Sequence, residues 1–227
     1  MTSVSYMIDE SACSQDADIW FALPAGFVPL PLHELNEAAR TAQTAWQGDL
    51  LRPLLETMLE GSARQRLLTD LGPVLRMAQL LLAAGAVKCC LGLHRDDEGD
   101  GRLLLSLFTL ASRATDWAPR SVLAARAAMS AQGADQILTL DLPCGPASLV
   151  QVSLNGAPEK GIAEGHRLLQ ITAYVPCPDG RRIALLTLAT TAVDQAEYYR
   201  ALLSDIAGTV SFDNPLPNVI DDVPDED

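Results

Sequence analysis

Six apolar stretches, all short and separated by turn residues, crowd into residues 86–191 and restrict the fold more than any other feature of the chain. They read "AVKCCLGLHR", "GRLLLSLFTLAS", "QILTLDLP", "ASLVQVSLNG", "HRLLQITAYVP" and "RRIALLTLATT". Runs of this length, rich in Val, Ile, Leu and Thr, form β-strands when Gly, Pro and Asp bound them. The first two are joined by "DDEGDG", the middle two by "PCGP" and the last two by "CPDG". Connections that short can only reverse the chain, because parallel neighbours need long crossovers. The pattern therefore predicts an antiparallel sheet of six to seven strands.

Helical periodicity flanks the strand block. In "HELNEAARTAQTAWQGDLLRPLLETMLEGS", Leu50, Leu51, Leu54, Leu55, Met58 and Leu59 recur on one broad face, with Pro53 tolerated in a first turn and Gly61 as the stop. Arg64 to Ala84 continues as a second helical stretch, with a break or kink at Gly72-Pro73. "WAPRSVLAARAAMSAQGAD" predicts a helix between the second and third strands, capped at Ser121. "DQAEYYRALLSDIAGTVSF" predicts a last helix whose core face carries Tyr198, Leu202 and Ile206, flanked by Tyr199 and Leu203, closing near Gly208 before a short extended piece. Helices on either side of a strand block make an α+β layered domain. The expected division is a flexible acidic arm over 1–17, one α+β domain over 18–212 and a disordered acidic tail over 213–227.

Charge bounds the partners. The formal net charge is −13, but its excess lies at the ends. Residues 1–32 hold four acids and no Lys or Arg, and residues 213–227 hold six acids and again no base. The intervening body carries 19 acids against 16 bases. No basic run exists to neutralise a phosphate backbone, which argues against nucleic acid and against an anionic membrane surface. The five cysteines are odd in number, contain no CxxC and include the adjacent pair Cys89-Cys90, whose side chains leave opposite faces of a strand. With no apolar leader and no apolar run long enough to span a bilayer, the chain is expected to be soluble and cytoplasmic, without membrane insertion.

The candidate sites divide between chemistry and architecture. Asp96, Glu98, Asp100 and Gly101 follow the opening of a calcium loop, but position twelve is Leu107 and no helix enters it, so the stretch is expected to be a hairpin turn. Cys89, Cys90 and His94 fall short of the four spaced ligands of a zinc site and read as buried core thiols. Cys144 in "PCGP" has the open possibility of approaching His94 or His166 as a nucleophile–base pair; His33 is the remaining histidine. No GxSxG elbow, GxGxxG turn or P-loop occurs. No catalytic residue, metal or cofactor is expected. "DIWFALPAGFVPLPL" holds three prolines, which confine it to a sheet edge. Its Trp20, Phe21 and Phe27 either dock a partner or cap the core locally.

"FALPAGFVPLPL" near the start and "RRIALLTLATTAVDQAEYYRALLSDIAGTVSFDNP" near the end resemble the opening and closing patterns of PsbP-like domains. The likeness spans about 60 residues at the two ends. It implies an antiparallel sheet between helices and a tendency toward protein binding, and it carries over no active-site residue. The helical region over 33–84 is larger than that family's pattern. The function expected from these features is a non-catalytic protein-binding or accessory protein, adaptor or chaperone-like, with an unidentified protein partner or a second copy of itself. The alternative is a small-molecule-binding domain or hydrolase with a pocket between the sheet and the 49–84 helices.

Overall fold

The structure is a computed structural model that describes residues 6–7, 19–30, 78, 80, 84–95, 103–155 and 167–214. Its frame is an antiparallel sheet. Two short strands precede it, β1 (Tyr6–Met7) and β2 (Leu23–Pro24), which pair with each other. The sheet consists of β3 (Phe27–Pro29), β4 (Ala86–Arg95), β5 (Leu103–Ala114), β6 (Ala134–Leu142), β7 (Gly145–Asn155), β8 (Arg167–Pro176) and β9 (Arg182–Thr190). Their spatial order is β3-β4-β5-β9-β8-β7-β6, with every neighbouring pair antiparallel. All six strands read from the sequence are present, and the proline-bearing segment supplies the seventh as an edge.

The order follows from connection lengths. Short turns join β6 to β7 and β8 to β9, so those strands lie side by side. After β5 the chain crosses to the far edge through helix α1 (Arg120–Ser130), and the β6–β9 meander then returns to close against β5. At the β6–β7 hairpin Leu142 pairs with Gly145, whose φ of +121° suits only glycine. Arg120 pins that hairpin to the end of β8: its guanidinium donates to the Cys144 carbonyl and, through Nε, to the Pro176 carbonyl at 3.0 Å.

α1 starts one residue before the expected cap. Pro119 is the boundary residue and its carbonyl accepts from Val122 and Leu123, so Ser121 sits inside the first turn and caps nothing. The last helix, α2 (Ala196–Gly208), follows a 3-10 turn over Val193–Gln195. That entry rotates it by about one residue, roughly 100°. The buried face is Tyr199, Leu203, Ile206 and Ala207, while Tyr198 is half out in solvent. Beyond Gly208, Ser211 exchanges two backbone hydrogen bonds with Trp20, each 2.9 Å, and so ties the chain's early segment to its late one.

Alternate residues of each strand serve two different layers. Phe108, Leu149, Ile171, Leu186 and Leu188 point toward α2 and form the main apolar core with Tyr199, Leu203, Leu23 and Phe27. Arg113, Tyr174, Ile183 and Leu185 leave the opposite face, beside α1. The two described helices therefore lie on opposite faces. No described helix is long and apolar enough to cross a membrane. The arm 1–17 apart from β1, the helical stretches over 33–77 and the tail from 215 lie outside the described residues.

Candidate functional site

The sheet has two edges, and they differ in length and cover. β3 contributes three residues beside β4 and ends at Pro29, which has no N–H to offer. β6 contributes nine and, among the described residues, pairs only with β7. Antiparallel pairing on one side leaves half of the strand's backbone N–H and C=O groups directed outward. Among the described residues no second strand pairs with them, and Arg200 of α2 donates to the Gln136 side-chain oxygen on this strand. Exposed and half-buried residues alternate or run together along the whole of β6, with Ile137 47% and Leu138 37% exposed. The central Ile137, Leu138, Thr139 and Leu140 include no proline, lysine or glycine, the residues that usually blunt such an edge. Asp135 and Asp141 flank that apolar centre, one near each end. The register shifts between Ala134 and Gln136, leaving Asp135 as the extra residue of a bulge.

Trp20, Phe21 and Phe27 do not stand on the surface. Trp20 and Phe27 are buried, and Phe21 is half-buried. The Phe21 ring lies 5.4 Å from Phe108 and the Phe27 ring 6.1 Å from it. Of the two readings of these aromatics, docking a partner or capping the core, the packing corresponds to the second: the segment folds back over the α2 side of the sheet and fills the chain's own core.

His94 completes that aromatic group. Its ring meets Phe27 edge-on at 5.0 Å and lies 6.4 Å from both Tyr198 and Tyr199. Burial among these rings holds its pKa below the ordinary histidine value. Ser106 lies fully buried on the same face, opposite Gly92 in the β4–β5 register. A Cβ at residue 92 would stand 2.3 Å from Ser106 Oγ and 2.8 Å from His94 Nε2, so the glycine is what admits both groups. Neither atom has a hydrogen-bond partner, and they do not bond each other, so the serine is not activated as a nucleophile here. Sequence reasoning missed Ser106. Its signal was a lone hydroxyl at an even position of the run Leu104 to Leu110, across from a mid-strand glycine.

The cysteines remain apart. Cys89 and Cys90 are buried on opposite faces of β4, and the Cys89 thiol is pushed up to about 12 by burial, with a contribution from Cys90. Cys144 sits in the β6–β7 turn, at the opposite end and opposite side of the sheet from His94 on β4. Those two cannot share a proton. Burial also raises the Cys144 thiol, against an opposing pull from Arg120. No disulfide joins the four described cysteines, and no group of three potential metal ligands occurs among the described residues. The Asp96–Gly101 turn, Cys13, His33, His166 and the pocket expected beside the 49–84 helices lie outside the described residues.

Compared with protein-family models, with curated proteins and with solved structures, the chain has no match.

Proposed function

We propose that the protein is a non-catalytic accessory protein, with a PsbP-like arrangement of sheet and helices, that acts by receiving an extended segment of a partner protein along β6. The single observation that supports this is the nine-residue edge strand with no second strand neighbour among the described residues. An added strand gains main-chain hydrogen bonds there, and alternate side chains gain contact with Ile137 and Leu138. A second copy of the chain fits less well. Antiparallel self-pairing centred on Leu138, the register that uses all nine residues, sets Asp135 across from Asp141 at both ends of the pair, and like charges directly opposite destabilise a sheet. A partner strand with an apolar centre and basic residues toward its two ends meets both aspartates favourably.

The test uses a synthetic, proline-free peptide with alternating valine and threonine between two lysines, titrated against the full chain and followed by residue-resolved amide signals. Shifts concentrated on 134–142, and their loss when the peptide's lysines become glutamates, are the expected result. Absence of binding, or shifts gathered elsewhere, overturns the reading. Sedimentation of the chain alone is expected to show a monomer.

A further inference from the structure

α1 covers only part of the face it lies on. Leu123, Ala124 and Ala128 turn inward on α1, which packs against β7 and β8. Arg126, Ala127 and Ser130, further round the helix, look instead toward β9 and the end of β5. The space left there is a cleft of about 380 Å³. Its floor is Ile183 and Leu185 of β9. The register sets Arg113 opposite Ile183 on one side and Tyr174 opposite Leu185 on the other, so a guanidinium and a phenol flank an apolar strip. Leu123 adds apolar surface from the helix, and Arg126 brings a second guanidinium from the same side. Thr115, just past β5, closes one end.

Three observations give this cleft a chemical preference. Neither Arg113 nor Arg126 makes an ion pair or hydrogen bond with a described residue, and Asp116 is the only carboxylate of the lining. The Thr115 hydroxyl is buried and has no hydrogen-bond partner. Burial raises the Tyr174 phenol above its ordinary value, against a weaker opposing pull from Arg113, so it stays protonated and able to donate. Two unpaired cations and two hydroxyl donors therefore rim an apolar floor, in a chain whose net charge is −13.

We infer that this cleft binds a small organic anion, its carboxylate or phosphate head between Arg113 and Arg126 and its apolar body on Leu123, Ile183 and Leu185. Guanidinium forks match the paired oxygens of either head group. The volume lies at the small end of the range for ligand pockets. The site is independent of the β6 edge and needs no partner protein.

Calorimetric titrations of the full chain with sodium hexanoate and with phenyl phosphate, against hexanol and phenol as uncharged counterparts, test this. At least one anion should bind saturably and about tenfold or more tighter than its neutral counterpart, as charge-assisted bonds imply. Whichever anion binds tighter assigns the head group. Amide shifts should gather on 113–116, 123–131, 174 and 183–185. The double variant R113Q/R126Q should lose about tenfold or more in affinity while melting as the parent does, since both side chains are exposed. Tyr174→Phe, a milder change that keeps the test alive if the double variant folds poorly, should weaken binding several-fold. No saturable binding of either anion, equal binding of the neutral compounds, shifts outside the cleft, or unchanged affinity in the variants would overturn the assignment.

Discussion

The two edges of the sheet solve the same problem in opposite ways. The β3 edge is three residues long, ends in a proline, and carries Phe27 inward onto Phe108 and His94. The β6 edge is nine residues long and leaves Ile137 and Leu138 in solvent. An edge that only has to end the sheet is short and anchored by aromatic packing. A long edge with no second strand neighbour among the described residues leaves strand-pairing capacity unspent there. Under the proposed function β3 carries stability and β6 carries recognition, and each prediction below tries to break that division.

The largest effect belongs to the sealed edge. Phe27→Ala should cost about 3–5 kcal/mol of unfolding free energy, as large-to-small changes in an aromatic core do, and denaturant unfolding of the full chain measures it. If the loss is below about 1 kcal/mol, the aromatic group does not hold that edge. At the bare edge the balance should invert. Ile137→Lys is expected to change stability by no more than about 0.5 kcal/mol, because the residue is already half exposed. It should nevertheless weaken the lysine-flanked strand peptide about tenfold, since an edge charge opposes strand addition.

A smaller effect follows from His94. Its folded pKa lies below the ordinary 6.5, so the unfolded chain takes up the proton more readily. The stability this contributes is complete above pH 6.5 and declines as pH falls toward the folded value. Denaturant melts across that window should show the decline in the parent chain and lose it in His94→Phe. An identical pH profile in the variant would remove His94 from the account of the sealed edge.

The smallest effect lies at the β8–β9 turn, remote from both edges. There the Asp179 carboxylate accepts from the Arg181 and Arg182 backbone N–H groups and pairs with Arg182 Nε at 2.8 Å, which lowers its pKa. Stability from that depressed value is present above the ordinary carboxylate range and lost as pH falls through it. Because the pair is exposed, Asp179→Ala should cost at most about 0.5 kcal/mol, read from melting at neutral pH.

How much of this was legible in the chain's letters depends on whether a feature is local. The strands were, because "CPDG" and "PCGP" leave no room for anything but a reversal between apolar runs. The proline-bearing segment around Phe27 was legible as an edge, while the burial of its aromatics stood as one of two alternatives. Where its aromatics point depends on the Trp20–Ser211 bridge, which joins residues from the two ends of the chain. The rotation of α2 was hidden for a similar reason. Tyr198 and Tyr199 are equally apolar in "AEYYRALL", and the preceding 3-10 turn decides which of them enters the core. Nothing in "DQILTLDL" announces that β6 has no second strand neighbour among the described residues, because spatial order is set by the crossover after β5. The meeting of Arg113, Arg126 and Tyr174 required the same crossover.

Residue-resolved hydrogen exchange of the isolated full chain tests the division between the edges most directly. The outward-directed amides of 134–142 should exchange about as fast as those of exposed loops, while the amides that pair β6 to β7 and those of β3 and β4 stay protected. Uniform protection along both sides of β6 would mean that the edge is already occupied, and the assignment of recognition to it would fail.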